Sequence, residues 1–335
     1  MQPFRLNLKN RDNPVEFKIV FEIRWIVYRY EFSLDWIKIH SEILYCKRTQ
    51  KEKILFKRNF QNIKIYDFKD NNSILRVNEN NLALSIFAKE GSIEAKEIHK
   101  FFQEIYVFFG DWSIKDSEAM MINEHETFKP FLKSLLLKAD FWISDIDFLL
   151  REMPFNEVPW SENLKLQLQS QWISIPNNVN QPTWNIQHLV YNDEWNIVWQ
   201  HYFWINDESK GTNKILNLAW SIYNVVRQWK ILFIDEIDSS LHPSLLSNLI
   251  CSFNNANTES QYQIIFTTQN THILDIKKTL WRDQIRFFDK NKYWVSKLSR
   301  LSDSNIRKEY ITEKNYFNKK FWELNSQDRD DLFNE

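Results

Sequence analysis

The chain has 335 residues, with 43 lysines and arginines against 44 aspartates and glutamates, a formal net charge of −1 and 43% hydrophobic residues. That balance supplies ample core for one large domain or two, and it argues against a strongly basic nucleic-acid surface, leaving only local patches. Cys46 and Cys251 form neither a metal-ligand spacing nor a disulfide framework, and the sequence carries no signal peptide and no run of about 18 apolar residues, so a cytoplasmic protein without a membrane span is expected.

From the amino end, Val15 to Glu22, Ile26 to Leu34, Ile37 to Tyr45 and Lys53 to Phe56 alternate in strand fashion and predict an antiparallel meander, the centre of a β lobe over residues 1–90. Ile93 to Phe109 and Phe128 to Leu150 read as packing helices, the second with Phe131, Leu132, Leu135 and Leu136 on one stripe. Pro154, Pro159, Pro176 and Pro182 then lie among asparagines and glutamines, and a short hairpin is expected from Gln187 to Phe203. Residues 91–200 are therefore read as a helical and Pro/Asn-rich insertion.

Residues 201–300 hold the segment richest in chemistry. Glu208-Ser209-Lys210-Gly211-Thr212 precedes Ile215, Leu216, Leu218, Ala219, Ile222, Val225 and Val226, which trace a helical stripe. A Ser/Gly/Thr cluster at a helix start exposes amides and hydroxyls that suit a phosphate, and it equally suits an ordinary N-cap. Next comes Ile231-Leu232-Phe233-Ile234-Asp235-Glu236, an apolar run delivering two carboxylates to the end of a buried parallel strand. Pro243 suits a first helical turn, and Leu245, Leu246, Leu249, Ile250 and Phe253 follow at helical spacing. Ile264-Ile265-Phe266 then runs into Thr267-Thr268-Gln269-Asn270-Thr271-His272, and the span matches a βαβ unit of about 30 residues. Both polar tips are expected on one edge of one sheet. Ile285 to Phe288 and Tyr293 to Leu298 add late strands, and in the tail over residues 301–335 Asp328-Arg329-Asp330-Asp331 follows no apolar strand, so it reads as a solvated acidic end.

In that order, the motifs resemble an ABC-type ATPase of the AAA family, of the RloA or abortive-infection kind found in bacterial phage-defence systems, with more distant relatives among the OLD and SMC ATPases. The residues carrying the resemblance are the signature-like Ser209-Lys210-Gly211-Thr212, the Walker B string ending in Asp235 and Glu236, the D-loop-like Ser239-Ser240-Leu241-His242-Pro243, and the switch-loop string Phe266 to Thr271. Arg282-Asp283-Gln284-Ile285 and Glu313-Lys314-Asn315-Tyr316 also look like the family. The likeness is tightest over residues 200–322. It implies an α/β fold, a partial P-loop NTPase sheet of the ABC-ATPase kind with an antiparallel β lobe and a helical insertion. It further implies ATP and Mg²⁺ as cofactors and a homodimer closed around ATP.

Carried over residue by residue, the resemblance gives Asp235 the Mg²⁺ and Glu236 the water that attacks the γ-phosphate. Ser209 and Gly211 would contact the γ-phosphate across the dimer interface, with Lys210, Thr212 and Ser240 also among the nucleotide-binding residues. Gln269 stands at the switch position, usually His; it can donate a hydrogen bond to phosphate but carries no positive charge. His272 reads as a satisfied loop residue. A Gly-rich loop ending in Gly-Lys-Ser/Thr, which would cradle the phosphates, occurs nowhere in the sequence. The family places that loop near the amino end, so the expectation is a chain truncated at its start.

Composition adds an anomaly. At average usage of about 7%, a chain of this length would hold roughly 23 glycines; this one has 3, alongside 15 tryptophans. Trp36 follows Asp35 between two strands, where Asp-Gly would make a type I′ hairpin, and Trp229 stands at a helix exit. Trp25, Trp195 and Trp294 also fall at turns between strands. Many of these tryptophans are therefore expected to be glycines, misread because the organism translates UGA as glycine; the alternative is a Trp-rich surface that stacks bases or grips a partner. Two function classes follow. One is an ATPase subunit of a phage-defence or DNA-transaction system whose dimerisation controls an effector such as a nuclease, and the other is a nucleotide-free interaction module derived from such an ATPase.

Overall fold

The computed structural model describes residues 13–68, 77–109, 125–138, 143–157, 165, 174–204, 207–254, 261–275, 280–291 and 293–303. Glu313-Lys314-Asn315-Tyr316 and the acidic Asp328-Arg329-Asp330-Asp331 lie outside them. The described residues divide into two compact units, one built on residues 13–105 together with Phe288–Leu298, the other on Tyr106–Phe287 and residues 299–303.

The first unit is a five-stranded antiparallel meander, β1 (Val15–Ile23), β2 (Ile26–Leu34), β3 (Ile39–Lys47), β4 (Lys53–Asn59) and β5 (Asn62–Ile65), in sequential order. Period-two alternation creates it: Phe17, Ile19, Phe21 and Ile23 turn inward while Glu16, Lys18, Val20 and Glu22 face water. Two helices, α1 (Ala83–Lys89) and α2 (Ile93–Gln103), supply Phe87, Ala95 and Ile98 to the same core as Phe21, Leu44, Leu55 and Phe56. The core also buries a charge pair. Glu42 and Arg58 are fully buried, their charged atoms 3.6 Å apart. Glu42 accepts the amides of Ala83 and Leu84 at 2.7 and 2.9 Å and the Tyr30 hydroxyl at 2.7 Å. It thereby caps the start of α1, whose N-cap Leu82 has no side-chain hydrogen bond to give. Arg58 donates to the carbonyls of Phe60, Asn78 and Asn81.

The second unit holds a three-stranded sheet in the order β11-β10-β6, comprising β6 (Ile105–Phe109), β10 (Ile231–Asp235) and β11 (Gln263–Phe266). Strands β10 and β11 run parallel, Leu232 opposite Ile264 and Ile234 opposite Phe266. The long helix α4 (Lys210–Gln228) and the crossover helix α5 (Pro243–Asn254) bury Leu216, Leu218, Ile222, Leu246 and Ile250 in one core with Leu232 and Ile234. Helix α3 (Phe128–Lys138) adds Leu132, Leu135 and Leu136. A separate antiparallel sheet, β7 (Ile143–Pro154), β8 (Asn178–Tyr191) and β9 (Ile197–Trp204), belongs to this unit. A hairpin that pairs β12 (Arg286–Lys290) with β13 (Ser296–Arg300) is made mostly of the Phe288–Leu298 segment of the first unit.

Two of the helices read from sequence are shorter than expected. Helix α2 stops at Gln103, and Ile105–Phe109 is the strand β6; α3 stops at Lys138, and Ile143–Pro154 is the strand β7. Short apolar runs such as Ile-Tyr-Val-Phe-Phe fit either element by periodicity alone, and the partners that decide the matter are remote in sequence. The hairpin expected from Gln187 starts earlier, at Asn178. Pro182 is accommodated within β8 because it pairs with Leu150 on β7, whereas β9 begins its pairing only at Asn185. Trp36 does not take the left-handed backbone expected of it. Instead the Asp35 carboxylate accepts the amides of Ile37 and Lys38, at 2.8 and 2.9 Å, and shapes a four-residue loop. His40 Nε2 bonds the other oxygen at 2.6 Å, and these partners, His40 first, hold the Asp35 carboxyl well below the usual carboxylate range.

Candidate nucleotide-hydrolysis site

Strands β10 and β11 deliver their polar tips to one place. The Thr267 hydroxyl donates to Asp235 Oδ1 at 2.6 Å and accepts the Glu236 amide at 2.8 Å, so one side chain fixes both acids. Backbone bonds from Ile237 to the Thr267 carbonyl and from Thr267 to the Ile234 carbonyl, each 3.0 Å, continue the ladder into the turn. Gln269 reaches back twice, its side-chain amide to Glu236 Oε1 and its backbone amide to Asp238 Oδ1, both at 3.3 Å. Asp235, Glu236 and Gln269 are solvent-exposed. His272 lies one turn further on, its backbone amide bonded to Asn270 Oδ1 at 3.0 Å.

The Ser209-to-Thr212 cluster opens α4. Ser209 is the N-cap: its hydroxyl accepts the Thr212 amide at 3.1 Å and lies 2.8 Å from the Thr212 hydroxyl. The capping role that the sequence left open is therefore realised, while Lys210 remains exposed beside it. His188 Nε2 meets Glu208 Oε1 at 2.6 Å and anchors the approach to this helix. Gly211 is buried against the turn after β10; a Cβ there would lie 2.8 Å from the Ser240 carbonyl oxygen, so no side chain fits. The five positions 209, 210, 211, 212 and 240 thus adjoin one another within a single chain.

Two residues that sequence reasoning did not single out hold this arrangement. Thr267 is one. Lys214 is the other: it is 6% exposed, and its ammonium donates to the Glu236 carbonyl at 2.6 Å and to Ser239 Oγ at 2.5 Å. The contact spans the N-terminal turn of α4 and a turn in which Glu236 and Ser240 both have positive φ, 48° and 62°. Such conformations cost about 1–3 kcal/mol each and persist where neighbours over-determine them. A lysine on the same helical stripe as Gly211 and Leu218 was the available signal, because a charge on a buried face needs a specific acceptor. Lys214→Met should cost about 1.5–3 kcal/mol by removing charge-assisted hydrogen bonds. Urea unfolding measures it; an unchanged midpoint would mean the contact does not support the turn.

A model of the protein family described as "AAA domain, putative AbiEii toxin, Type IV TA system" matches residues 1–275. The chain belongs to this AAA-domain family. No curated protein matches it. The match covers the meander, α4, the βαβ unit and the Thr267-to-Gln269 tip, so the geometry above sits inside the AAA domain. Among the described residues, no helix is long and apolar enough to cross a membrane.

The oxygens present suit the cofactors such a domain implies. Among the described residues no group of three or more His, Cys, Asp or Glu side chains could hold a metal ion unaided. Mg²⁺, however, is usually held by one or two carboxylates with waters and substrate phosphates. Asp235, exposed and oriented by Thr267, offers that carboxylate.

Proposed function

We propose that this AAA domain binds and hydrolyses ATP in the cytoplasm as a subunit of a bacterial phage-defence or DNA-transaction system, and that ATP-dependent dimerisation controls a partner effector. What supports the reading is one observation: two parallel strands end side by side with Asp235, Glu236, Thr267 and Gln269 hydrogen-bonded into one cluster. Open α/β sheets bind ligands at such carboxyl ends. Asp235 would hold Mg²⁺, which supplies charge neutralisation on the phosphates. Glu236 would orient the attacking water and accept its proton, with Gln269 restraining the Glu236 carboxylate and facing phosphate. Lys210 and the amides at the start of α4 would meet the nucleotide bound by a second copy, with Ser209 and Ser240 beside them.

A nucleotide-free interaction module is the second reading. Two observations favour it: the sequence contains no Gly-Lys-Ser/Thr string, and the Ser209 hydroxyl is engaged in its own helix. Equilibrium dialysis with MgATP, paired with sedimentation velocity, separates the two. The ATPase reading expects saturable binding, a shift to dimer with MgATP, and at least a tenfold weakening in Asp235→Asn when Mg²⁺ is present. Absence of both binding and dimer shift in the unsubstituted chain would overturn it in favour of the module.

A further inference from the structure

Eight non-glycine residues have positive φ among those described, and four are tryptophan: Trp25 at 67°, Trp195 at 63°, Trp229 at 55° and Trp294 at 62°. Tryptophan makes up 15 of 335 residues, so a random draw of eight would contain fewer than one. The left-handed region penalises any Cβ, and glycine alone enters it freely.

Each of the four occupies a position that turn geometry reserves for glycine. Trp25 and Arg24 form a two-residue loop between the paired Ile23 and Ile26, both with positive φ, the type I′ pattern whose second residue is most often glycine. Trp195 ends a three-residue loop closed by the Asn192 amide on the Asn196 carbonyl at 3.0 Å, with its own amide on the Asn192 carbonyl at 2.9 Å. Trp294 repeats that geometry: the Asn291 amide meets the Val295 carbonyl at 3.1 Å, and the Trp294 amide meets the Asn291 carbonyl at 2.9 Å. Even the asparagine side chains match, each Oδ1 accepting two amides of its loop, from Glu194 and Asn196 in one and from Tyr293 and Val295 in the other. In this loop class the last residue is left-handed, and glycine is favoured there. Trp229 closes α4, and the Lys230 amide bonds back to the Val225 carbonyl at 3.1 Å, the Schellman pattern whose left-handed residue is usually glycine.

The indoles do not account for the backbone. The residues at positions 25, 195, 229 and 294 are 83%, 81%, 61% and 63% exposed. The Trp195 ring lies 6.4 Å from that of Tyr191, and Lys290 Nζ lies 5.6 Å from the Trp294 ring, contacts an exposed side chain makes without dictating φ. Trp220 is the contrast. It sits within α4, stacks on Tyr223 and meets Phe128 edge-on, and its φ is not positive. A base-stacking surface would order its rings at the expense of no particular turn, whereas these four occur only where the chain reverses or a helix ends.

We propose that glycine occupies positions 25, 195, 229 and 294 in the protein as its organism makes it, the four codons being TGA decoded as glycine. Gly91, at φ 108°, already fills such a turn between α1 and α2. At position 229 the consequence reaches the candidate site, because this residue joins α4 to the strand that carries Asp235.

Peptide mass spectrometry on the protein isolated from its own organism reads the four positions directly. Glycine at all four is expected; tryptophan at any of them overturns the assignment. A second measurement uses recombinant chain. The quadruple W25G/W195G/W229G/W294G variant should melt several degrees above the corresponding quadruple alanine variant, because alanine keeps the Cβ that glycine removes. An alanine variant as stable as the glycine one would overturn the proposal equally. Neither readout involves nucleotide, so both are independent of the ATPase reading.

Discussion

Arg58→Met should destabilise the amino-terminal lobe by about 3–5 kcal/mol, the cost of leaving a buried charge without its partner. The substitution removes the cation facing Glu42 and also strips donors from the carbonyls of Phe60, Asn78 and Asn81. Burial pushes the Glu42 carboxyl up from its ordinary value, while Leu84, Ala83, Tyr30 and Arg58 pull it down. Without Arg58 the upward push gains. The sign of the pH dependence follows: a carboxyl raised in the folded state stabilises the fold most when protonated, so its contribution falls as pH rises through the interval between the unfolded and folded values. The Arg58→Met deficit should therefore be largest near neutrality and shrink as the pH falls into the range where Glu42 takes up a proton. Urea denaturation followed by fluorescence at several pH values measures both. A loss below about 1 kcal/mol, the scale of an exposed ion pair, would mean that water reaches the pair.

The meander and the βαβ unit were legible because their signals are local. Alternation such as Phe17, Ile19 and Phe21 has period two, and Pro243 with Leu246, Leu249 and Ile250 marks both the start and the buried face of a helix. Strands β6 and β7 were not legible, since Ile105–Phe109 becomes a strand by joining β10, more than a hundred residues on. The acids at 235 and 236 could be placed at a strand end from sequence. That one threonine, Thr267, would bond both could not, because it depends on the parallel register that sets Ile234 beside Phe266. The buried pair reads in sequence as two ordinary polar residues, Glu42 within an alternating strand and Arg58 just past the end of another. Its partners come from remote sequence: the Ala83 and Leu84 amides of α1 reach Glu42, and the Asn78 and Asn81 carbonyls before α1 reach Arg58.

On the proposed ATPase reading, Glu236→Gln should reduce ATP turnover by about 10²–10⁴-fold, the usual contribution of a positioned general base, while leaving MgATP-dependent dimers intact or more persistent. The change disturbs little else. Gln is isosteric with Glu, and Glu236 keeps its backbone bonds: its amide to Thr267 Oγ1, its carbonyl to Lys214 and to the Ser239 amide. Gln keeps every one of these bonds around the left-handed φ of 48°. Gln269 Nε2, which now donates to Glu236 Oε1 at 3.3 Å, can donate equally to the amide oxygen of Gln. What the substitution removes is the capacity to take a proton from water. Folding, nucleotide affinity and dimer formation are therefore expected to survive, and their survival distinguishes a lost base from a damaged site. Turnover by phosphate release and dimer lifetime by sedimentation velocity are the two readouts. Equal turnover in the parent and the Gln variant would remove Glu236 from the chemistry and leave the Thr267-centred cluster a structural turn. Lost turnover together with lost dimers would assign Glu236 to holding the turn rather than to the reaction.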